Sequence, residues 1–293
     1  MKTLRECIQD AQKNKVAIGH FNISNIEGFW AVINAAKNLN VPVIIGVSEG
    51  ERAFIGVKQV KALIDTVKND TSYPPIFLNA DHTYSYEKCV EVIDAGFDAV
   101  IFDGTGVSFE DNIAMTKKVV AYAHAKNPGM LIEGEIGYIG KSSEVRATLG
   151  ADVEAAQKML TTPEDASRFV KETGVDLLAP AIGNFHGVLQ NIAVTRTAKK
   201  IQPVLVAEIY QATGIPLVLH GGSGSEDSLV REAIQSGIAI VHINTEMRMA
   251  YRNAIRQSLQ DNPDEVAPYK IAKPAVIAMQ KVIEEKLKLF NNL

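Results

Sequence analysis

Apolar residues along this chain collect in eight short runs, separated by longer segments in which apolar and polar positions alternate with helical period. The runs are Val16–Asn22, Val41–Ser48, Pro75–Asp81, Ala99–Thr105, Met130–Gly137, Leu177–Gly183, Pro216–Gly222 and Ile238–Thr245. Nearly continuous apolar runs of this length predict parallel strands buried on both faces. Between them, Ser85–Ala95 and Glu110–Lys126 read as helices. A further helix is predicted with Thr162 as N-cap, Pro163 at its first position and Gly174 as C-cap. Eight strand–helix units in about 250 residues predict an α/β fold closed into a (β/α)8 barrel, the TIM barrel. The competing arrangement is an open doubly wound sheet, but no Gly-x-Gly-x-x-Gly turn follows the first run. Past about Asp261 an extra C-terminal segment follows, strongly helical over Ala272–Asn291. No low-complexity linker interrupts the chain, so residues 1–293 are expected to form a single domain. One connection, Tyr138 to Thr161, is long for a barrel loop and is a candidate lid.

Composition narrows the function classes. With 46% hydrophobic and 22% charged residues the chain has the balance of a soluble globular protein. A net charge of −4 argues against a partner with a nucleic-acid backbone. The opening Met1–Glu6 reads as the start of an amphipathic helix rather than an apolar leader, and no apolar run approaches membrane-spanning length. The expectation is a cytoplasmic protein in which Cys7 and Cys89, far apart and without a partner motif, stay reduced.

Chemistry gathers where the apolar runs stop. In chain order these positions hold His20 and Asn22, Ser48, Asp81 and His82, Asp103, Glu135, His186, His220, and finally His242 with Asn244. In a barrel such ends converge on one face, where active sites are built. Of the six histidines only His124 lies elsewhere, in a helix, where it reads as a surface residue. Imidazole is a common ligand of zinc-like ions, and three protein ligands leave a coordination position for substrate. His82, His186 and His220 are therefore a candidate three-histidine metal site; histidines merely hydrogen-bonded at the barrel rim are the plainer alternative. The stretch His220-Gly221-Gly222-Ser223-Gly224-Ser225 runs into a helix near Glu226. Glycines let backbone N–H groups approach an anion, so this turn is a candidate phosphate site; a flexible strand–helix turn is the alternative.

Several separate segments, in order along nearly the whole chain, resemble the class II fructose-bisphosphate and tagatose-bisphosphate aldolases. They are Phe21-Asn22-Ile23-Ser24-Asn25-Ile26-Glu27, Val41–Ile45 leading to Ser48, Asp81-His82, Ala95-Gly96-Phe97, Phe102-Asp103-Gly104, Glu133-Gly134-Glu135-Ile136-Gly137, His186-Gly187 and His220–Gly224. The resemblance implies that His82, His186 and His220 bind a catalytic divalent ion, usually zinc. Asp81 would pass the proton of the aldol hydroxyl. Asp103 and Glu135 match acidic positions used around a second metal site or hydrogen-bonded to the ligating histidines. Gly187, Gly221, Gly222 and Ser223 would hold the phosphate of dihydroxyacetone phosphate, with a monovalent cation possible nearby. Asn22, Ser48, His242, Asn244 and Thr245 fall on substrate-contacting positions, and Arg248 matches an arginine that reaches the far phosphate. The implied substrate is a ketose bisphosphate, fructose 1,6-bisphosphate first, cleaved to dihydroxyacetone phosphate and glyceraldehyde 3-phosphate by a homodimer or homotetramer. The divalent ion would act as a Lewis acid on the developing negative charge.

The chain departs from that pattern at three places. His242 stands where the family usually has Asn, Gln190 where it often has Lys, and Ser142 and Ser143 where it often has the lid acid, leaving Glu144 as the candidate. A tagatose-bisphosphate or related ketose-phosphate aldolase is the nearest alternative. These changes also admit a non-catalytic sugar-phosphate binder. A Schiff-base aldolase would need a lysine at a strand end, and the eight ends carry none. A hydrolase of the amidohydrolase kind would show His-x-His on the first strand, where this chain has His20-Phe21-Asn22.

Overall fold

In the computed structural model, which describes residues 2–140, 145–146 and 159–293, the eight apolar runs become eight parallel strands of a closed barrel. They are β1 (Ile18–Asn22), β2 (Val43–Val47), β3 (Ile76–Thr83), β4 (Ala99–Phe102), β5 (Leu131–Ile136), β7 (Leu177–Pro180), β9 (Leu217–Leu219) and β10 (Ile238–Ile243). Two short strands, β6 (Val145–Arg146) and β8 (Val188–Leu189), pair with each other outside the barrel. The barrel closes through β1 and β10, with His20 opposite His242. Strands alternate with helices on the outside, as the (β/α)8 reading expects.

Strand alternation sorts the side chains into layers. Outward residues such as Ile45, Leu78, Ile132, Leu219 and Val241 join the sheet–helix core. Inward residues at the bottom, including Ile18, Ile44, Phe77, Leu131, Val218 and Ile240, pack together as an apolar plug. Helix α1 (Leu4–Asn14) closes that end, burying Leu4, Cys7, Ile8 and Ala11 against the plug. Its start is fixed by a capping box between Thr3 and Glu6. Two residues further along β1, β3, β5 and β10 the inward positions turn polar, at His20, Asn79, Glu133 and His242, with His220 directly after β9.

The outer elements are α2 (Ile26–Leu39), α3 (Glu49–Ile55), α4 (Val57–Lys68), α5 (Tyr86–Asp94), α6 (Phe109–Lys126), α7 (Pro163–Thr173), α8 (Ile192–Ala198), α9 (Pro203–Thr213), α10 (Asp227–Ser236), α11 (Thr245–Asp261) and α12 (Pro268–Asn291). Helix α7 has the expected Thr162 cap, which accepts from the Asp165 N–H, and the left-handed Gly174 at its end. The C-terminal segment is α12, starting four residues earlier than the periodicity suggests because Pro268 opens it; it packs on α11 and α2. His124 is a half-exposed tether rather than a bare surface residue: its Nε2 is 3.0 Å from Asp176, which also accepts the Ile132 N–H. Cys7 and Cys89 are free and buried, and burial pushes their thiols up to about 11 and about 12. Among the described residues no helix is long and apolar enough to cross a membrane. Most of the candidate lid, including Glu144, lies outside the described residues.

Candidate active site

The site is the polar upper layer of the barrel. Asp81 and His82 are consecutive, so simple alternation would send them to opposite faces of β3. The pairing of β3 with β4 shifts register between Ala80 and Thr83, and His82 takes φ 35°. A bulge of this kind re-aims a side chain, at a cost of about 1–3 kcal/mol for a left-handed non-glycine residue. Both side chains thereby reach one cavity. Arg52 of α3 holds the distortion from behind: buried, it donates to the carbonyls of Val47 and Asp81 (2.5 and 3.1 Å) and to Thr83 Oγ1 (3.0 Å).

His186 arrives on the loop after β7, and its N–H bonds the Ile139 carbonyl at 2.8 Å. Asn184 fastens this loop to the end of β9 by donating to the His220 carbonyl at 2.9 Å. Gly221 permits the close approach, since a Cβ there would sit 2.4 Å from the Phe185 carbonyl oxygen. The three expected histidines are thus brought together, with ring centroids 4.9 Å apart for His82–His186 and His82–His220 and 6.0 Å for His186–His220.

Their surroundings divide the nitrogens into committed and open ones. His82 Nδ1 lies 2.8 Å from Asp103 Oδ2, and His220 Nε2 lies 2.7 Å from Glu133 Oε1. His186 Nε2 is buried without a hydrogen-bond partner, and His220 Nδ1 and Glu135 Oε2, buried as well, face each other at 3.3 Å outside hydrogen-bond geometry. One donor atom each from His82, Glu135, His186 and His220 lie within 4.8 Å of one another. Three imidazoles and a carboxylate with orphaned atoms converging on one point fit a zinc-like divalent ion. Asp103 therefore supports His82, while Glu135 stands with the histidines themselves.

The electrostatics fit a cation as well. Burial pushes His82 down, but Asp81, Glu135 and Asp103 outweigh it and raise its pKa to about 9. His220 is likewise buried, yet Glu135 and Glu133 hold it well above its ordinary value. Burial, with His82 and His220 adding to it, pushes His186 well below the usual range. Asp81, despite its burial, is held well below the usual carboxylate range by His82, His242 and His20. It is ionised, with Oδ2 accepting from Asn22 Nδ2 at 2.8 Å and Oδ1 without a hydrogen-bond partner.

A second cluster adjoins it. His20 and His242 stack with centroids 3.5 Å apart and planes 3° apart. Such rings cannot both aim in-plane lone pairs at one ion, so this pair is a wall rather than a second metal site. Burial lowers both, His20 to about 4 and His242 well below the usual range. His242 Nδ1 sits 3.5 Å from Asp81 Oδ1, and its Nε2 is open.

The cavity over these groups has a volume of about 620 Å³. Asn22, Ser48, Asp103, Gly187, Gly221, Ser223, Asn244, Thr245 and Arg248 line it, whereas His220, Glu135 and Gly222 lie beneath its surface. Ser223 Oγ accepts from the Asn244 and Glu246 N–H groups, tying the glycine loop to the start of α11. Arg248 is ion-paired with Glu51 at 2.7 Å, and Glu51 also binds Asn22 and Ser48. Sequence reasoning missed Glu51, although Ser48-x-x-Glu51 is a capping-box signature. Glu133 entered only as part of the Glu133–Gly137 motif and was given no role, although it stands two residues from Glu135 on the same strand. The buried Lys199, lowered by burial to about 7, had no sequence signal.

Comparison with known proteins agrees with this layout. The class-II fructose-bisphosphate aldolase family model matches residues 2–293. The fructose-bisphosphate aldolase of Staphylococcus aureus (strain Mu50) is 36% identical over 290 residues, covering 98% of this chain and 96% of that protein. The Geobacillus stearothermophilus fructose-bisphosphate aldolase is 34% identical over 295 residues, 99% of this chain and 96% of the relative. Among solved structures, the YdjI aldolase of Escherichia coli K12 superposes with a TM-score of 0.80 at 29% identity, covering 98% of this chain and 96% of that one. A family match over residues 2–293, relatives 34–36% identical along nearly the whole chain and a superposable barrel leave one assignment: the chain belongs to the class II fructose-bisphosphate aldolase family.

Proposed function

We propose that this protein reversibly cleaves a ketose bisphosphate, fructose 1,6-bisphosphate first, to dihydroxyacetone phosphate and glyceraldehyde 3-phosphate. The observation that carries the reading is the convergence of the open His186 Nε2, His220 Nδ1 and Glu135 Oε2 with His82 beside an ionised Asp81. His82, His186 and His220, with Glu135 at hand, would hold a divalent ion, zinc by ligand type. When bound, that ion supplies Lewis-acid stabilisation of the negative charge that develops as the C3–C4 bond breaks.

The remaining work falls to the chain. Asp81 Oδ1 takes the C4 hydroxyl proton, the C4–O bond becomes the aldehyde carbonyl, and the C3–C4 electron pair passes toward the C2 oxygen; a proton from solvent delivered to C3 then completes dihydroxyacetone phosphate. Asn22 keeps Asp81 aimed by holding its other oxygen. His242, neutral and stacked on His20, walls the cavity beside Asp81. The loop from Gly221 to Ser223, with Gly187, receives the phosphate next to the reacting carbons. Arg248 and Ser48 face the distal half of the substrate. Tagatose 1,6-bisphosphate differs only at C4, the carbon beside Asp81 and His242, and is the second substrate to assay. We further infer a cytoplasmic homodimer or homotetramer whose partner is the small phosphorylated ketose, not nucleic acid or membrane.

The decisive experiment is retro-aldol cleavage of a panel of ketose phosphates with the metal content quantified. Cleavage that a chelator abolishes and a divalent ion restores is expected. Binding without turnover after metal loading favours a sugar-phosphate binder, and a stable adduct after borohydride treatment with substrate overturns the metal reading.

A further inference from the structure

Lys199, directly after α8, is 1% exposed. Its Nζ donates to the carbonyl oxygens of Gly221 at 2.5 Å and Ser223 at 2.6 Å, and lies 4.7 Å from the centre of the Phe185 ring. No carboxylate pairs with it among the described residues. Glu246, the acid that acts on it most, is engaged by the Gly224 N–H at 3.0 Å and by Lys286 at 3.1 Å. Lys199 does not line the cavity. A buried ammonium without a counter-ion costs on the order of several kcal/mol, so carbonyl dipoles and a ring face offset it only in part. Burial accordingly lowers Lys199 to about 7, so below that pH a positive charge sits behind a glycine loop whose front, at Gly221 and Ser223, lines the cavity.

We propose that Lys199 is the positioning residue of the anion site: its amino group turns two loop carbonyls away from the cavity and, while protonated, sets a positive charge behind them. The inference rests on the reading of this loop as the phosphate site. Carbonyl oxygens facing an anion repel it; tied to Lys199, those of Gly221 and Ser223 are withdrawn. A free monovalent cation is then not needed at this position, because the ammonium already occupies it.

The probe is inorganic phosphate, titrated calorimetrically into the purified protein at about pH 6, where Lys199 carries its proton. Wild-type affinity should be the same in potassium chloride as in tetramethylammonium chloride of equal ionic strength. Lys199→Met should weaken phosphate binding by about tenfold or more, as loss of charge-assisted contacts predicts, and raise KM more than it lowers kcat. Lys199→Ala leaves room for a small ion, and ammonium or potassium should restore its phosphate affinity where tetramethylammonium does not. Thermal melts identify folded variants. The proposal is overturned by wild-type affinity that collapses in tetramethylammonium, by a folded Lys199→Met protein that binds phosphate normally, or by a folded Lys199→Ala protein that small cations do not rescue. Should both variants fail to fold, the wild-type salt exchange decides. Wild-type protein that binds no phosphate in either salt overturns the loop reading and this proposal together. Phosphate binding without aldol cleavage overturns the aldolase reading and leaves this proposal standing.

Discussion

Replacing Glu133 by Gln tests whether the carboxylate beneath His220 tunes the proposed metal site. Both side chains are buried, at 2% and 0% exposure, and Glu133 Oε1 lies 2.7 Å from His220 Nε2. Gln keeps the shape and an acceptor oxygen, so it removes charge while leaving the cavity filled. A hydrogen bond to a charged group contributes about 1.5–3 kcal/mol against about 1 for a neutral pair, a difference of roughly 0.5–2 kcal/mol. At about 1.4 kcal/mol per decade, zinc affinity should fall by more than about twofold and up to about 30-fold, toward what partners of metal-ligating histidines are worth. The pH dependence gives a second signature. Glu135 and Glu133, overcoming burial, hold the wild-type His220 pKa well above its ordinary value, so metal must displace a proton there. Glu133→Gln relaxes that competition, and the affinity deficit should be largest at alkaline pH and shrink as pH falls. Competition against a zinc-chelating dye from pH 6 to 9 reads both effects. Affinity within about twofold of wild type throughout that range would refute the reasoning, because it would leave the buried carboxylate without influence on its histidine.

Asp81→Asn keeps the bond to Asn22 but cannot accept a proton; kcat should fall by roughly 10²–10⁴ with metal content unchanged, measured by coupled assay and metal analysis. Gly46→Ala places a Cβ 2.1 Å from His20 Cε1, and His20 is backed by His242 at a centroid distance of 3.5 Å. With that stack blocking retreat, the thermal melt should show a loss of about 1–3 kcal/mol, and an unchanged melting temperature would contradict the packing. In metal-free protein, His82 has its pKa raised to about 9 from 6.5. Its contribution is fully present below pH 6.5 and lost as pH rises toward 9, on the order of a few kcal/mol. The apo melting temperature should fall across that window. Zinc should suppress the fall, since a bound imidazole is already neutral; a flat apo profile would count against the carboxylate cluster around His82.

Much of this was written along the chain. The eight strands are legible because parallel strands buried on both faces must be nearly all apolar, and a polar residue is tolerated only where such a run meets the barrel mouth. That is why Asp81, His82 and His220 stand out along the chain, and Pro163 and Gly174 bound α7 by their own backbone preferences. Tertiary structure alone decided the rest. The bulge that turns two consecutive residues into one cavity depends on a register shift against β4 and on Arg52 behind it, neither of which leaves a local pattern. The stacking of His20 on His242 follows from closing β1 against β10, more than two hundred residues apart in sequence. Lys199 reads as one more polar residue after a short helix; only the folded chain buries it against the carbonyls of a loop that begins at Gly221. Periodicity reports which face of an element is buried, because that is set within a few residues. Which charges then meet is set by closure of the barrel, and a sequence records that only through partners distant along the chain.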